Sequence, residues 1–371
     1  MKLIAWINIS SIIMFTLSIT AWFFLTTDYL KVNNIQTVNV MGIRTSVGDN
    51  KENKNKDKIG KNSEKVISQN SILDSAITSN SMGSLNNLVV ADEIIPQKKK
   101  DIGNTYVRAK AAVAIDVDSE RILHNQNADK KMSIASLTKM MTALVVLDSI
   151  KNLNDEVIVI DNEVCRTPRS IIGCPSSTYC FSDTLKVNEK VRAKDLFQAM
   201  LVNSTNDAAV ALAKHISGSQ KSFAILMNKK AKEIGLKNTH FCNPTGLDED
   251  EHLDDCYSSA EDVARISVYA LKNKKYDKIW QAFKIKERWF NSVDGKMRHR
   301  FATTNILFDT MNNCVGAKTG FTYDAGKTLM MVAKNPKDKN KKVVGVVLND
   351  PYRFDDMQKL FNWVFKNYEW K

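Results

Sequence analysis

The chain has 371 residues, a formal net charge of +12 and a hydrophobic content of 43%, so it is ordinary for a globular protein and long enough for about two to three domains. A basic balance of this size suits nucleic acid, an anionic membrane surface or an anionic wall polymer. The sequence carries no helix-turn-helix, zinc-finger or RNA-binding signature, and we therefore predict no nucleic-acid partner.

Residues 3–27 contain no charged side chain and are long enough to span a bilayer as a helix. Lys2 precedes this run, so the positive-inside rule places the rest of the chain outside the cytoplasm. A cleaved signal peptide is the alternative, although its apolar region is usually shorter and ends in a small-x-small site. We expect residues 1–30 to be a transmembrane anchor or signal segment of a cell-membrane protein whose globular part is periplasmic or extracytoplasmic.

A polar tether is predicted for residues 31–107. Its stretch KENKNKDKIGKNSEK is rich in lysine and asparagine and has no aromatic residue, so it cannot bury a core. Lysines 98–100 close the tether, and solvation in a linker explains them better than a binding patch does. The third predicted domain, residues 108–371, is the globular part.

The globular part opens with a predicted hairpin, AAVAIDVD followed by RILHNQ. Residues 133–150 have apolar side chains at helical spacing and predict a buried helix. A short strand and loop are expected over 156–164, and a loop with three cysteines over 165–183. Further helices are predicted at 193–201, 207–216, 221–234, 259–271 and 353–368. Further strands are predicted at 285–290, 314–321, 327–334 and 341–348.

The sequence has six cysteines, none of them in the first 164 residues: Cys165, Cys174, Cys180, Cys242, Cys256 and Cys314. Local bridges within the first three, and between Cys242 and Cys256, are compatible with export, but the sequence leaves the pairing open. His240, Cys242, His252 and Cys256 fit no standard zinc spacing. We therefore predict no metal and no cofactor.

Three short motifs carry residue types that chemistry could use. Ser136 and Lys139 share one helix face, where a buried lysine can lose its proton and activate the hydroxyl. Ser204 and Asn206 stand two residues apart before a helix, although helix capping would explain them equally well. Lys318-Thr319-Gly320 lies in a strand, where glycine allows close approach of a ligand or marks a bulge. Strand alternation puts Thr319 on the face opposite Lys318.

Taken together and in this order, the motifs resemble the joint signature of β-lactamases and penicillin-binding proteins, with Thr205 in the middle of the second. The chain looks like the serine D-Ala-D-Ala carboxypeptidases among the penicillin-binding DD-peptidases. The resemblance covers roughly residues 108–370. Segments that carry it are IASLTKMMTALVVL, NSTNDAAVALA, HFCNPTGLD, SSAEDVARISVYAL and VGAKTGFTYDAG. It implies an α+β, β-lactamase/DD-peptidase-like fold, with an antiparallel sheet flanked by helices and an inserted all-helical lobe.

The resemblance also implies a mechanism and two ligands, peptidoglycan stem peptides and β-lactams as covalent inhibitors. Ser136 would attack the penultimate D-alanine, with Lys139 as base and its pKa lowered by Lys318. Ser204 would relay a proton and Asn206 would hold the substrate amide. The remaining implied roles are carboxylate binding by Lys318 and Thr319, a bare strand surface at Gly320 and an oxyanion contact from the N–H of Phe321, beside that of Ser136.

Other readings of the same motifs stay open. A DD-endopeptidase or a β-lactamase would use the same serine, and the latter needs a carboxylate for deacylation, for which Glu163 and Glu189 are candidates. An inactive, membrane-tethered wall-binding protein is the non-enzymatic alternative. The cysteine-bearing stretch 165–180 looks longer than in the family. Many relatives also continue into a small β domain and an amphipathic tail, so we expect the N-terminal segment to provide membrane attachment here.

Overall fold

The computed structural model describes residues 95–99, 103, 105–167, 185–248 and 255–371. The predicted anchor and most of the predicted tether lie outside these ranges, as do Cys174, Cys180 and His252. Within these ranges, no helix combines the length and the apolar character that a membrane crossing requires.

The helices are α1 Lys139–Ser149, α2 Asn162–Arg166, α3 Ala193–Val202, α4 Asn206–Ser217, α5 Gln220–Ile234, α6 Ala260–Lys272, α7 Asp277–Ala282 and α8 Arg353–Asn367. The strands are β1 Pro96–Lys98, β2 Ala111–Asp116, β3 Ile122–Gln126, β4 Val157–Val159, β5 Lys190–Arg192, β6 Glu287–Asn291, β7 Arg298–Ala302, β8 Cys314–Thr322, β9 Gly326–Lys334, β10 Lys342–Leu348 and β11 Tyr368–Trp370. Two 3-10 turns, Ala135–Thr138 and Lys274–Tyr276, lead into α1 and α7.

The main sheet has five antiparallel strands in the order β3-β2-β10-β9-β8. Strands from the two ends of the globular part therefore pair in one sheet, as predicted. The ladder between β8 and β9 shifts register at Cys314/Gly316, which is a bulge at the start of β8. Because β8 is an edge strand of this sheet, its outer edge is available to a ligand.

Alternation along the strands gives the sheet two apolar faces. Val113 and Ile115 of β2 join the core formed with the central helices, including α1. Ala112 and Ala114 of the same strand join a second core, formed mainly with α8. The sheet is therefore covered on both sides, which explains why β2, β9 and β10 are almost continuously apolar.

Helix α1 runs through the larger core. All of its residues from Lys139 to Leu147 are buried, and a helix that is apolar all round belongs inside a protein. The predicted helix over 133–150 is thus confirmed, and it begins as the 3-10 turn that contains Ser136.

The region inserted between β3 and β8 is mainly helical, and it also contains the strands predicted within 156–164 and at 285–290, as β4 and β6. Two small antiparallel sheets, β4 with β5 and β6 with β7, lie within it. Helix α2 replaces part of the loop expected after β4, and α7 was not predicted. The elements that were not predicted, α2, β5, β7 and α7, are three to six residues long, too short for their apolar periodicity to stand out.

The sequence-based boundary at residue 108 misses a strand. Residues 96–98, assigned above to the tether, form β1 and pair with β11 at the end of the chain. Lys99 donates to the backbone carbonyl of Lys366 and lies 3.5 Å from a Glu369 carboxylate oxygen. The pairing joins segments more than 250 residues apart, a contact that local composition does not reveal.

Leu360 of α8 gives a test of the second core, because it is fully buried there. Leu360→Ala should lower the free energy of unfolding by about 2–5 kcal/mol, since it removes buried methyl groups and leaves a cavity. Ile225→Ala on α5 is the matched control: Ile225 is 67% exposed, so the change should stay within about 0.5 kcal/mol. Urea unfolding followed by circular dichroism measures both, and equal losses would contradict this packing.

Candidate active site

Ser136 lies in the 3-10 turn before α1, half-buried and directly after Ala135, whose φ of 49° is left-handed. Such a conformation is uncommon for a residue with a Cβ and is maintained only by its surroundings. One of these surroundings is Gly320 of β8: a Cβ on Gly320 would lie 3.0 Å from the Ser136 nitrogen and 2.4 Å from Thr328 Oγ1. The glycine thus permits β8 to approach the turn that carries the serine.

Lys139, one turn further on, is fully buried and makes three hydrogen bonds. Its Nζ lies 2.8 Å from Ser136 Oγ, 2.7 Å from Asn206 Oδ1 and 2.7 Å from the Thr245 carbonyl oxygen. The amide and carbonyl oxygens can only accept. In a neutral amine, its two N–H groups satisfy them and its lone pair faces the Ser136 hydroxyl, which is the arrangement a general base needs.

Burial lowers the pKa of Lys139 to about 7, although the nearby carboxylate of Asp207 opposes the shift. A neutral Lys139 is therefore populated near neutral pH, whereas an ordinary lysine with a pKa of 10.5 is almost entirely charged there. The expected repulsion between Lys139 and Lys318 contributes to a lowered pKa of Lys318. Burial, then the charges of Lys139 and Arg353, lower the pKa of Lys318 well below its ordinary value.

Ser204 follows α3 and has a left-handed φ of 64°. Its hydroxyl accepts a hydrogen bond of 2.7 Å from Lys318 Nζ, which also donates to the Thr319 carbonyl oxygen at 2.9 Å. Asn206 is buried as the first residue of α4. The structure thus places two hydrogen-bonded pairs at one cleft: Ser136 with Lys139, and Ser204 with Lys318.

The cleft has room for a ligand along the outer edge of β8. Its lining includes Ser136, Ser204, Asn206, Thr319, Gly320 and Phe321. Strand alternation predicted Thr319 on the face opposite Lys318, yet both border this site. Because β8 is the edge strand, its backbone and neighbouring side chains reach the same cleft from the side.

Three residues of the site were missed by the sequence analysis. Thr304 lines the cleft, and its hydroxyl lies 2.6 Å from that of Thr319. Arg353 also lines it and donates to the Gly320 carbonyl oxygen at 2.7 Å, while its buried Nε has no partner among the described residues. Thr245 provides the carbonyl for Lys139. Only HFCNPTGLD, quoted above as a family segment, pointed towards Thr245.

The two carboxylates considered for a β-lactamase are engaged elsewhere. Glu163 bonds to Lys214 and Gln220, and Glu189 lies 2.6 Å from buried His299. Neither lines the cleft with Ser136. The structure therefore gives no support to either as the base that activates a deacylating water.

The sulfurs of Cys242 and Cys256 are bonded to each other at 2.00 Å, so the local bridge considered above is present. These cysteines cannot therefore supply thiolates to zinc. Cys165 and Cys314 are free. No group of three or more metal-ligating side chains occurs in the part of the chain that the structure describes.

Comparison with known proteins agrees with this geometry. A family model described as D-alanyl-D-alanine carboxypeptidase matches residues 97–352, which is more than half of the chain. The chain belongs to this family.

Individual relatives support the assignment. The chain is 33% identical over 261 residues to D-alanyl-D-alanine carboxypeptidase DacF of Bacillus subtilis (strain 168), covering 70% of this chain and 63% of DacF. It is 30% identical to the D-alanyl-D-alanine endopeptidase of Escherichia coli (strain K12), covering 70% of this chain and 77% of that protein. The chain therefore spans less than two thirds of DacF and more than two thirds of the endopeptidase.

A solved structure of penicillin binding protein 5 from Haemophilus influenzae superposes on this family member with a TM-score of 0.62. It is 31% identical, and the match covers 72% of this chain and 74% of that one. The predicted DD-peptidase-like α+β fold is confirmed by this similarity.

The pKa of Lys139 predicts how acylation of Ser136 depends on pH. The base acts in its neutral form, so the second-order rate of labelling by a fluorescent penicillin should rise with pH through a midpoint near 7. Below the midpoint it should fall about tenfold per pH unit, because the charged lysine accepts no proton. Circular dichroism at each pH controls for unfolding. A rate that is flat from about pH 5 to pH 8 would contradict the assignment.

Proposed function

We propose that the protein is a serine D-Ala-D-Ala carboxypeptidase that removes the terminal D-alanine of peptidoglycan stem peptides through an acyl-enzyme. The observation that carries the proposal is the contact between Lys139 Nζ and Ser136 Oγ at 2.8 Å, with the other two contacts of Nζ made to oxygens that only accept. A serine next to a buried amine that can be neutral near neutral pH is an activated nucleophile.

In the acylation step, Ser136 Oγ forms a bond to the carbonyl carbon of the penultimate D-alanine while Lys139 takes the hydroxyl proton. Backbone N–H groups of Ser136 and Phe321 would stabilise the oxyanion. The bond to the terminal D-alanine nitrogen then breaks, and the proton held by Lys139 would be relayed through Ser204 to that nitrogen, which leaves Lys139 neutral again. Water, deprotonated by the same lysine, releases the shortened peptide and regenerates Ser136.

Three groups around the cleft suit the terminal carboxylate of such a peptide. Arg353 would provide positive charge in a desolvated setting, as would Lys318 once a carboxylate is bound, and the Thr319 hydroxyl provides a neutral donor. With the carboxylate at this end, the rest of the peptide would run along β8 past Gly320 as an added strand. β-Lactams would enter the same cleft and acylate Ser136 through their ring amide.

The protein would act at the cell membrane, with the catalytic part on the periplasmic or extracytoplasmic side. Uncharged residues 3–27 behind Lys2 support membrane attachment. The Cys242–Cys256 disulfide independently supports an oxidising compartment, since such bonds are rare in the cytosol.

A DD-endopeptidase is the second candidate, because the endopeptidase relative is 30% identical and matches over most of its length. That activity would cleave a D-alanyl bond within a cross-link instead of at a chain end, with the same serine and lysine.

Two assays with Ser136→Ala as control test the proposal. The wild-type protein should take a covalent penicillin label and release D-alanine from a pentapeptide ending in D-Ala-D-Ala. Ser136→Ala should lose both by at least about 10³-fold, because no other group forms the acyl bond. Label on the variant would disprove the serine assignment. Release of cross-linked dimers without D-alanine release would favour the endopeptidase, and rapid penicillin turnover the β-lactamase.

Arg353 gives a sharper test of carboxylate binding. Arg353→Met should lower kcat/KM for the pentapeptide by about 10- to 100-fold, the value of one hydrogen bond to a charged group. The same peptide with a C-terminal amide should be affected far less. Arg300→Met is the control, since Arg300 pairs with Glu287 on the surface. Equal losses for acid and amide substrates would place Arg353 in a structural role only.

A further inference from the structure

The turn over residues 243–246 contacts Lys139, the proposed base. The Thr245 carbonyl accepts from Lys139 Nζ at 2.7 Å, and the Pro244 carbonyl accepts from Thr142 Oγ1 at 2.7 Å. Both donors are buried on α1, one turn apart. The turn therefore fixes one of the two oxygens that orient the Lys139 amine.

The shape of the turn is strongly determined within itself. Asn243 Oδ1 accepts from the Thr245 N–H at 3.0 Å, the Thr245 hydroxyl at 2.9 Å and the Gly246 N–H at 2.8 Å. Gly246 has a φ of 75°, and a Cβ there would lie 1.9 Å from the Ala135 carbonyl oxygen. The turn thus packs against the residue directly before Ser136. A small movement of the turn would therefore shift the surroundings of both Ser136 and Lys139.

The disulfide joins this turn to the segment that leads into the nucleophile. Cys242 directly precedes the turn and is bonded to Cys256. Two residues after Cys256, Ser258 exchanges backbone hydrogen bonds of 2.8 and 3.0 Å with Met132, four residues before Ser136. The disulfide therefore links the turn that contacts Lys139 to the segment that leads to Ser136.

Noncovalent anchors alone hold the turn less firmly. Asn228 bonds both backbone groups of Phe241, and His240 pairs with Tyr257. These hydrogen bonds lie outside the turn and are partly exposed, so each contributes about 0.5–1.5 kcal/mol. The disulfide restricts the same segment even when these hydrogen bonds open transiently.

We propose that the Cys242–Cys256 disulfide is a positioning element for catalysis: it keeps the Thr245 carbonyl on Lys139, so that the amine lone pair points at Ser136. The inference rests on the proposed function. When the turn loosens, the Lys139 amine can rotate away from Ser136 and water can reach it. A displacement of about 1 Å in an active site costs about 10²-fold in rate.

The full-length Cys242→Ser/Cys256→Ser variant tests this against Cys165→Ser, which removes a cysteine that is not in a disulfide. We expect the double variant to label with penicillin about 10- to 100-fold more slowly at about pH 7. Its pH midpoint should also move above that of the wild type, because a less buried lysine regains part of its ordinary pKa. Cys165→Ser should retain the wild-type rate and midpoint.

Reduction of the folded wild-type protein is the second measurement, and it does not depend on the variant folding. Dithiothreitol should slow the labelling of wild type and Cys165→Ser reversibly and leave the double variant unchanged. Wild-type rate and midpoint in the double variant, or no effect of reduction on wild type, would overturn the inference. If wild type takes no Ser136-dependent label, the proposed function itself fails, which is a different result in the same assay.

Discussion

The burial of Lys139 is the constraint on which the site depends. A charged ammonium removed from water loses several kcal/mol of solvation unless it is paired, and the three groups that contact this one are uncharged oxygens. The neutral amine matches the same surroundings, with two donors and one lone pair for two acceptors and a hydroxyl. The fold thus stabilises the protonation state that the chemistry requires, and the packing of α1 through the core is what removes the water.

Several local features follow from bringing this helix, a loop and an edge strand to one point. Ala135 and Ser204 have left-handed backbones although both carry a Cβ, and each such residue costs about 1–3 kcal/mol. No side chain would fit at Gly246 or Gly320, because Ala135, Ser136 and Thr328 lie too close to them. Two left-handed residues that carry a Cβ and two tightly packed glycines thus lie where the three motifs meet.

The long elements and the three motifs were predictable from sequence because each has a local signature: apolar period for α1, alternation for the strands, and spacing of polar side chains for the site. Arg353 has none, since it reaches the cleft only through the packing of distant segments, and only the family-like segment HFCNPTGLD pointed towards Thr245. The lowered pKa values of Lys139 and Lys318 also depend on burial, which spacing does not give. The strand at 96–98 is similar, because its partner is the other end of the chain.

Lys318 completes the argument about charge. Both lysines are fully buried, and the charge of Lys139 is one cause of the lowered pKa of Lys318. Protonation of one therefore opposes protonation of the other. A bound carboxylate near Lys318 would favour its charged form, and that charge would in turn favour the neutral form of Lys139. An anionic substrate end would thus help to prepare the base that attacks it, which links recognition of a chain terminus to activation of Ser136.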